Sequence, residues 1–354
     1  MTRSERLAAL LDEPLLVAGP PYVLGGQANV RYLTGLQSSN SAVLVEPDGH
    51  ATLYTDFRYA NRARALDGVE VTEVARGLIP AIGKLLTGRR IGFEEQHLPH
   101  ALYRELVDAG VDAQPTSGLV EGLRAVKDAD ELAAMRRASA LSDEVFGALS
   151  RERFSGRTES ELAWWVERSF REGGAEGVSF EAVVGAGATA ASPHADPGTT
   201  PIEPGVLVVV DAGCVVDGYC SDCTRTFAVG DVSERLQEIY ALCLDAQLAG
   251  LAAVGPGVHG RDADAASRTL IEGAGLGWAY GHGMGHGVGL QIHEAPTLRP
   301  DSTDVLTAGN VVSVEPGIYL PDEGAGVRIE DLVVVTEEGC ERLTQFDKEL
   351  ITVA

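Results

Sequence analysis

The amino-acid sequence predicts a two-domain α/β (α+β) protein whose larger, C-terminal domain contains two matching halves. Its 354 residues are enough for about two domains, and 45% of them are hydrophobic, as in ordinary globular proteins. Strand and helix patterns alternate over residues 1–125, whereas residues 126–354 carry a series of motifs that occurs twice. We therefore expect one domain over 1–125 and a second over 126–354.

The N-terminal domain is predicted to contain a β-hairpin. SAVLVEPDG and ATLYTDFRY are typical of two strands joined at the turn Pro47-Asp48-Gly49, and IGFEE is typical of a further strand. The segment from Asp128 to Phe154 has helical apolar spacing and many charges. It predicts a long helix that leads into the second domain.

The C-terminal domain repeats its local signals. GRTESELAWWVERSFREGGAEG begins with a capping box from Thr158 to Glu161 and ends on glycines, and GRDADAASRTLIEGAGLG follows the same plan further along the chain. Each helix is followed by an apolar strand with an acid six residues after a glycine, Asp211 in GVLVVVDAG and Glu315 in GNVVSVEPG. The match predicts internal pseudo-twofold symmetry.

Each half also contains a second acid, and the four acids together indicate a metal centre. Asp222 follows 11 residues after the first acid of its half, and Glu330 follows 15 residues after Glu315. Carboxylates within apolar strands are costly to bury unless a positive charge neutralises them, and Arg225 and Arg328 are the nearby candidates. A pair of divalent cations would neutralise the acids better, and would activate water for hydrolysis.

The segment GHGMGHGVGLQIHEAP, residues 281–296, supplies the nitrogen ligands. It contains three of the eight histidines of the chain, His282, His286 and His293, among closely spaced glycines. One imidazole would complete the metal shell, and the others would serve as proton donors or hydrogen-bond partners for substrate. Four carboxylates with one imidazole suit Mn²⁺, Co²⁺ or Zn²⁺. The glycines let the backbone approach closely and keep a cavity open.

These motifs resemble those of a known family. VVVDAG…YCSDCTRTF, GHGMGHGVGLQIHEAP, VVSVEPGIY and GVRIEDLVVV are similar to the pita-bread metallopeptidases of the aminopeptidase P, prolidase and methionine aminopeptidase clan. NVRYLTGLQSSNSAVLV and LYTDFRY resemble the creatinase/prolidase-type N-terminal domain. The resemblance covers nearly the whole chain. It implies a C-terminal pita-bread fold with internal pseudo-twofold symmetry, preceded by a smaller α/β domain.

The resemblance also implies roles for individual residues. The implied metal ligands are Asp211 on one metal, Asp222 and Glu330 bridging both metals, and His286 and Glu315 on the other metal. The remaining implied site residues are His194 in SPHADPG and His293 as substrate- and intermediate-binding histidines, His282 in the substrate pocket, and Arg328 paired with the Glu330 region. The expected catalytic residues are then His194, His293, Glu315 and Arg328.

The implied function is a dinuclear metal-dependent peptidase that hydrolyses the bond between an N-terminal residue and proline. A prolidase acting on dipeptides or short peptides competes with an aminopeptidase P acting on longer Xaa-Pro-Yaa peptides. A third alternative is a non-peptidase pita-bread protein, creatinase-like or a binding paralogue, although such proteins have lost ligands that are all present here. The expected cofactor is two divalent ions, with Mn²⁺ favoured over Co²⁺ or Zn²⁺. The family also implies a homodimer or higher homo-oligomer.

Composition excludes other classes of function. The formal net charge of −24, from 28 basic and 52 acidic side chains, disfavours nucleic acid and anionic membranes as partners. No apolar stretch approaches the ~18 residues of a membrane span. The cysteines are five in number, and three of them, Cys214, Cys220 and Cys223, lie too close together for a disulfide framework. We expect a cytoplasmic protein.

Overall fold

The structure is a computed structural model, and it describes residues 1–19 and 27–354. The chain divides into two compact units, Met1–Arg124 and Ala125–Ala354. Within the described ranges, every helix is too short or too polar to cross a membrane.

The N-terminal unit is built on one six-stranded mixed sheet with the strand order β4-β3-β2-β1-β5-β6. Its elements are α1 (Arg3–Ala8), β1 (Leu15–Ala18), α2 (Ala28–Thr34), β2 (Ser41–Val45), β3 (Ala51–Thr55), α3 (Ala60–Ala63), β4 (Glu70–Glu73), α4 (Leu78–Leu85), β5 (Arg90–Glu94), α5 (His100–Asp108), β6 (Asp112–Thr116) and α6 (Leu119–Ala125). The predicted hairpin is confirmed, because β2 and β3 pair antiparallel from Ser41↔Thr55 to Val45↔Ala51. Its turn places Gly49 at φ 92°, where a side chain would be strained.

The first half of the C-terminal unit contains two helices and six short strands. They are α7 (Ala129–Leu149), α8 (Glu159–Glu172), β7 (Gly177–Val178), β8 (Val183–Ala186), β9 (Leu207–Ala212), β10 (Cys214–Val216), β11 (Tyr219–Cys220) and β12 (Cys223–Val229). The predicted capping box of Thr158 and Glu161 is confirmed at α8, and Asp128 and Glu131 form another at α7. Such an N-cap contributes about 1 kcal/mol.

The second half continues with the same kinds of element. They are α9 (Glu234–Ala253), α10 (Gly260–Gly273), β13 (Gly285–Gly287), β14 (Glu294–Leu298), β15 (Val311–Val314), β16 (Gly317–Leu320), β17 (Ala325–Arg328), β18 (Asp331–Val335), β19 (Cys340–Arg342) and β20 (Ile351–Val353). Short 3₁₀ helices lie at Thr189–Ala191, Gly277–Ala279 and Pro321–Glu323.

The two halves repeat one arrangement. In the first half α7 and α8 precede neighbouring antiparallel strands β8, β9 and β12, and in the second half α9 and α10 precede neighbouring antiparallel strands β13, β15 and β18. The sheet orders are β20-β12-β9-β8 and β14-β13-β15-β18-β19. The predicted internal pseudo-twofold symmetry is therefore confirmed, and it puts β9–β12 and β15–β18 in equivalent places.

Apolar side chains of the sheets pack against the helices of the unit. In the first half, Phe146 of α7 and Phe170 of α8 are fully buried with Val208 and Val210 of β9. Burying each such side chain contributes roughly 1.5–3 kcal/mol. The packed core fixes the strands whose ends carry the acids.

Candidate metal centre

The four acids lie at strand ends or strand junctions. Asp211 is in β9, whereas Asp222 directly precedes β12, Glu315 directly follows β15, and Glu330 lies between β17 and β18. The expectation that these acids lie within apolar strands is therefore correct only for Asp211, and each of the other three stands directly beside a strand. The pairing with β9 begins at Cys223↔Ala212, and the preceding Ser221 donates its N–H to the Cys214 carbonyl instead.

The strand register brings three of the acids together. Asp211 lies opposite Thr224 in the β9–β12 ladder, and the Glu330 N–H donates to the Thr224 carbonyl at 3.1 Å, which joins the two halves. As a result, one ligand atom from each of Asp211, Asp222 and Glu330 lies within 4.8 Å of the others.

His286 and Glu315 complete the cluster. His286 Nε2 lies 3.1 Å from Glu315 Oε1 and 3.8 Å from Asp222 Oδ2. The Ser313 hydroxyl accepts the backbone N–H of His286 at 3.0 Å and donates to Glu315 Oε1 at 3.0 Å. His286 Nδ1 lies 3.1 Å from the Gly287 carbonyl and can donate to it, which leaves Nε2 free to bind a metal.

Steric crowding requires glycine on both sides of His286. A Cβ on Gly285 would stand 2.0 Å from the Ser313 carbonyl oxygen, and a Cβ on Gly287 would stand 2.2 Å from that of Ala295. Only glycine lets β13 approach β14 and β15 this closely. The close approach holds the His286 ring against the acids.

Arg328 is the cation of the cluster, but its partner differs from the expected one. The buried guanidinium pairs with Asp211 and donates to the Tyr319 hydroxyl at 2.9 Å. It reaches Glu330 indirectly, since Arg328 Nε lies 3.1 Å from the Thr224 hydroxyl, which donates to Glu330 Oε2 at 2.8 Å. The other candidate cation, Arg225, pairs with Asp331 at 2.9 Å.

The positively charged side chains of the protein do not balance the negative charge of the four acids. Burial, and then the neighbouring carboxylates, raise the pKa of Asp222 and of Glu330 well above the ordinary values. Burial also raises the pKa of Asp211, although Arg328 opposes this effect. At Glu315 burial acts in the same direction, but the hydrogen bond and charge of His286 outweigh it and lower the pKa to about 2.

The residues present fit divalent metal ions. Asp211 Oδ1 and Glu330 Oε1 are buried and have no hydrogen-bond partner in the part of the chain that the structure describes. A buried carboxylate oxygen without a donor is costly unless a cation neutralises it. Four carboxylates and one imidazole nitrogen are the mixed oxygen and nitrogen donor set that Mn²⁺, Co²⁺ and Zn²⁺ accept.

A cavity of about 450 Å³ opens beside the cluster. Eight of the nine predicted site residues line it, namely His194, Asp211, Asp222, His282, His286, His293, Glu315 and Arg328. Glu330 is outside the lining and is 1% exposed. Phe180, Val183 and Ile292 add apolar wall, and Arg299 adds a cation.

The three remaining histidines occupy different parts of the cavity. The ring of His293 lies 4.4 Å from that of His286, and burial and then the His286 charge lower the pKa of His293. His194 is exposed. His282 Nε2 lies 3.0 Å from the Tyr319 hydroxyl, and burial lowers the pKa of His282.

Sequence reasoning missed Tyr319 and Thr224. Tyr319 joins Arg328 to His282, and burial raises its pKa to about 12. Thr224 joins Arg328 to Glu330. Both residues stand within motifs quoted above, EPGIY and YCSDCTRTF, but nothing in a strand pattern separates a linking hydroxyl from an ordinary strand residue.

Comparison with known proteins agrees with this architecture. Metallopeptidase family M24 matches residues 133–337, and the Creatinase/Prolidase N-terminal domain matches residues 4–126. The uncharacterized peptidase YqhT of Bacillus subtilis is 38% identical over 335 residues, which cover 93% of this chain and 94% of that protein.

Solved structures of similar proteins match along the whole chain. The Xaa-Pro dipeptidase from Bacillus anthracis is 37% identical with a TM-score of 0.93, and 99% of each chain is covered. The prolidase from Pyrococcus horikoshii is 30% identical with a TM-score of 0.91, again over 99% of each chain. The X-Pro aminopeptidase from Thermotoga maritima is 32% identical with a TM-score of 0.90, over 99% of this chain and 100% of that one.

The two-unit fold, with acids and histidines converging at a cavity, defines a metal-dependent peptidase. The chain belongs to metallopeptidase family M24, and its N-terminal part is a Creatinase/Prolidase N-terminal domain. The predicted pita-bread fold and enzyme class are confirmed, and the non-peptidase alternative is set aside. Membership of a metallopeptidase family implies divalent metal ions at this centre.

Proposed function

We propose that this peptidase is a dinuclear Xaa-Pro peptidase of the prolidase type, which hydrolyses the bond between an N-terminal residue and proline in dipeptides and short peptides. The observation that carries the proposal is the convergence of the acids Asp211, Asp222 and Glu330 with His286 and Glu315 at one cavity. The similarity to the Xaa-Pro dipeptidase and the prolidase named above supports the substrate class.

We assign the five ligands to two ions. Asp211 would bind one metal, Asp222 and Glu330 would bridge both, and His286 and Glu315 would complete the shell of the second. When bound, the ions supply an activated water and polarise the scissile carbonyl. Mn²⁺ is our proposed physiological ion, and Co²⁺ and Zn²⁺ are the alternatives that the same ligands accept.

Protonation of the leaving nitrogen is assigned to the cavity histidines. The tertiary amide before proline leaves poorly unless its nitrogen gains a proton, so a donor must stand near the scissile bond. His293 and His194 both line the cavity wall, which supports them as substrate-binding residues and as the proton donor. Glu315 is the proposed acceptor of the proton that the attacking water releases.

Arg328 is proposed to act through the groups that it holds. It pairs with Asp211 and donates to the Tyr319 hydroxyl, which in turn lies within hydrogen-bond distance of His282. Arg328 would therefore fix the orientation of one proposed ligand and of the proposed substrate-pocket histidine. Such fixed geometry is what positions reacting groups in hydrolytic centres.

An aminopeptidase P activity on longer peptides is the second candidate, because the Thermotoga maritima enzyme is also similar along the whole chain. Arg299 favours the dipeptidase. Its side chain lines the cavity and is 57% exposed, although it contacts Asp301 at 3.0 Å. A guanidinium at this place can bind the free α-carboxylate of the C-terminal proline of a dipeptide.

Hydrolysis of a matched pair of substrates tests the proposal. An Xaa-Pro dipeptide and the corresponding Xaa-Pro-Yaa tripeptide are assayed with added Mn²⁺ and with chelator. We expect metal-dependent cleavage with a preference for the dipeptide. Preference for the tripeptide would make the enzyme an aminopeptidase P, and cleavage of neither, with metal bound, would remove the proline specificity.

Three further assignments are also proposals. The domain bounds 1–125 and 126–354 are proposed from the change between alternating strand and helix patterns and the repeated motifs. Limited proteolysis tests these bounds. A homodimer or higher homo-oligomer follows from the family resemblance, and light scattering tests it. A cytoplasmic location is proposed from the cysteine usage of the sequence, because five cysteines with three of them within 214–223 do not suit a disulfide framework.

A further inference from the structure

Lys127 and Glu294 form an ion pair inside the C-terminal unit. Lys127 Nζ lies 3.6 Å from Glu294 Oε2, and the two side chains are only 1% and 5% exposed. Taking two charges out of water is costly and their mutual attraction offsets this cost only in part, so such a pair is weak evidence for a purely stabilising role. Its position suggests another role, because Glu294 directly follows His293 in the chain.

The Glu294 carboxylate organises the loop that ends at His293. Glu294 Oε1 accepts the N–H of Gln291 at 2.9 Å, and the Gly289 N–H donates to the Gln291 carbonyl at 3.0 Å. Gly289 lies directly against the carboxylate, since a Cβ at this position would stand 2.6 Å from Glu294 Oε2. The course of residues 289–293 therefore follows the position of this carboxylate.

Lys127 is itself held in place from outside the cavity. Its backbone N–H donates to the Gly309 carbonyl at 2.9 Å, and the next residue, Asp128, caps α7. Lys127 is absent from the cavity lining, whereas His293 belongs to it. The ammonium group therefore contacts Glu294 from behind the loop, and the histidine faces the substrate space.

We infer that Lys127 is a positioning residue for His293 and acts through Glu294. The buried ammonium fixes the position of the carboxylate, the carboxylate holds the loop 289–293, and the loop directs the His293 ring into the cavity. The inference rests on the proposed function only in so far as His293 serves the reaction.

Lys127→Met tests the inference, with Lys84→Met on the exposed face of α4 as the matched control. Without the cation, the carboxylate is no longer held by Lys127, and the loop loosens. We expect faster hydrogen exchange at residues 289–293 and a kcat about 10- to 100-fold lower. KM should change far less than kcat, and the bound metal should be unchanged, because no proposed ligand is altered.

Two further variants separate positioning from general destabilisation. Lys127→Arg keeps a cation and should recover a large part of kcat. The double variant Lys127→Met with Glu294→Gln removes both charges but keeps an oxygen for the Gln291 N–H, so it should exchange more slowly at 289–293 than Lys127→Met alone. These two variants also carry the test if Lys127→Met does not fold.

Three results would overturn the inference: exchange and kcat in Lys127→Met equal to those in Lys84→Met, no recovery in Lys127→Arg, or a double variant that exchanges at 289–293 at least as fast as Lys127→Met alone. The exchange measurement keeps this test apart from the proposed function. If the wild-type enzyme cleaves neither peptide, the proposed function fails, while local exchange still reports whether Lys127 holds the loop.

Discussion

At the scale of single residues, the Tyr319 hydroxyl links two groups of the centre, Arg328 and His282. Tyr319 accepts a hydrogen bond from Arg328 and lies 3.0 Å from His282 Nε2. Arg328 lies nine residues away across the β16–β17 hairpin, whereas His282 lies 37 residues away in the sequence. No local pattern could have assigned Tyr319 to the site.

Tyr319→Phe should weaken the enzyme without removing its metal. The change leaves a buried Arg328 N–H without one acceptor, which costs about 1–3 kcal/mol, and it frees His282. We expect lower stability in urea and kcat/KM reduced about tenfold, at unchanged metal content. Tyr103→Phe is the control, since Tyr103 stacks on Phe93 in the other unit. Equal kcat/KM in the two variants would contradict a positioning role for the Tyr319 hydroxyl.

Arg299 decides the substrate preference if its guanidinium binds a free carboxylate. Arg299→Gln should raise KM for the dipeptide about tenfold and change KM for the tripeptide far less, because the tripeptide carries its carboxylate one residue further on. Steady-state kinetics on both peptides measure the difference. Arg261→Gln, at a similarly exposed arginine on α10, is the control. Equal losses on the two peptides would rule out carboxylate recognition by Arg299.

Glu94 in the N-terminal unit should make stability depend on pH. Burial, and then the charge of Glu121, raise its pKa from 4.5 to about 8. The folded state therefore holds a proton that the unfolded state releases. The stabilisation is complete below pH 4.5 and is lost as the pH rises to about 8, at a slope of at most ~1.4 kcal/mol per pH unit.

Glu94→Gln should remove that pH dependence. The stability of the variant relative to wild type should rise between pH 6 and pH 8.5, because glutamine cannot ionise. Urea unfolding, followed through hydrogen exchange of β5, measures this change at each pH. The neighbouring exposed Glu95→Gln is the control. A constant difference between variant and wild type over this range would contradict the assignment.

At the scale of elements, β13 shows how a glycine-rich strand builds a ligand position. Gly285→Ala would place a methyl group 2.0 Å from the Ser313 carbonyl oxygen, so β13 would have to move away from β15. We expect a loss of about 1–3 kcal/mol or more in the free energy of unfolding, together with weaker metal binding at His286. Gly281→Ala is the control, because nothing lies within 4 Å of its Cβ position. Unchanged metal affinity in Gly285→Ala would show that the close approach is not needed.

The elements also show what the sequence could predict. The β2–β3 hairpin and the capping box of α8 depend on residues a few positions apart, and both were predicted correctly. The repeated acid spacing predicted the two halves. The residue at which β12 begins depends on where the ladder with β9 starts, which is a long-range property. The ion pair between Arg328 and Asp211 could not be predicted for the same reason, since the two residues are 117 positions apart in the sequence.

At the scale of the whole molecule, membership of a metallopeptidase family explains why a chain with a large negative net charge also brings four carboxylates together in its interior. The protein carries a formal net charge of −24, and its four converging carboxylates have a single arginine, Arg328, among the cavity-lining residues paired with them. Metal ions are the missing positive charge, so metal should stabilise the fold as well as enable hydrolysis.

Metal titration of the metal-free enzyme tests this account most directly. The wild type should bind two equivalents of Mn²⁺ per chain, with a rise in the unfolding temperature and recovery of Xaa-Pro hydrolysis in the same titration. Asp222→Asn should lose at least one equivalent and the activity, whereas Asp322→Asn, at an exposed acid, should behave as wild type. Full hydrolysis with no bound metal, or an Asp222→Asn variant that still binds two equivalents and cleaves at the wild-type rate, would contradict a dinuclear centre at these residues.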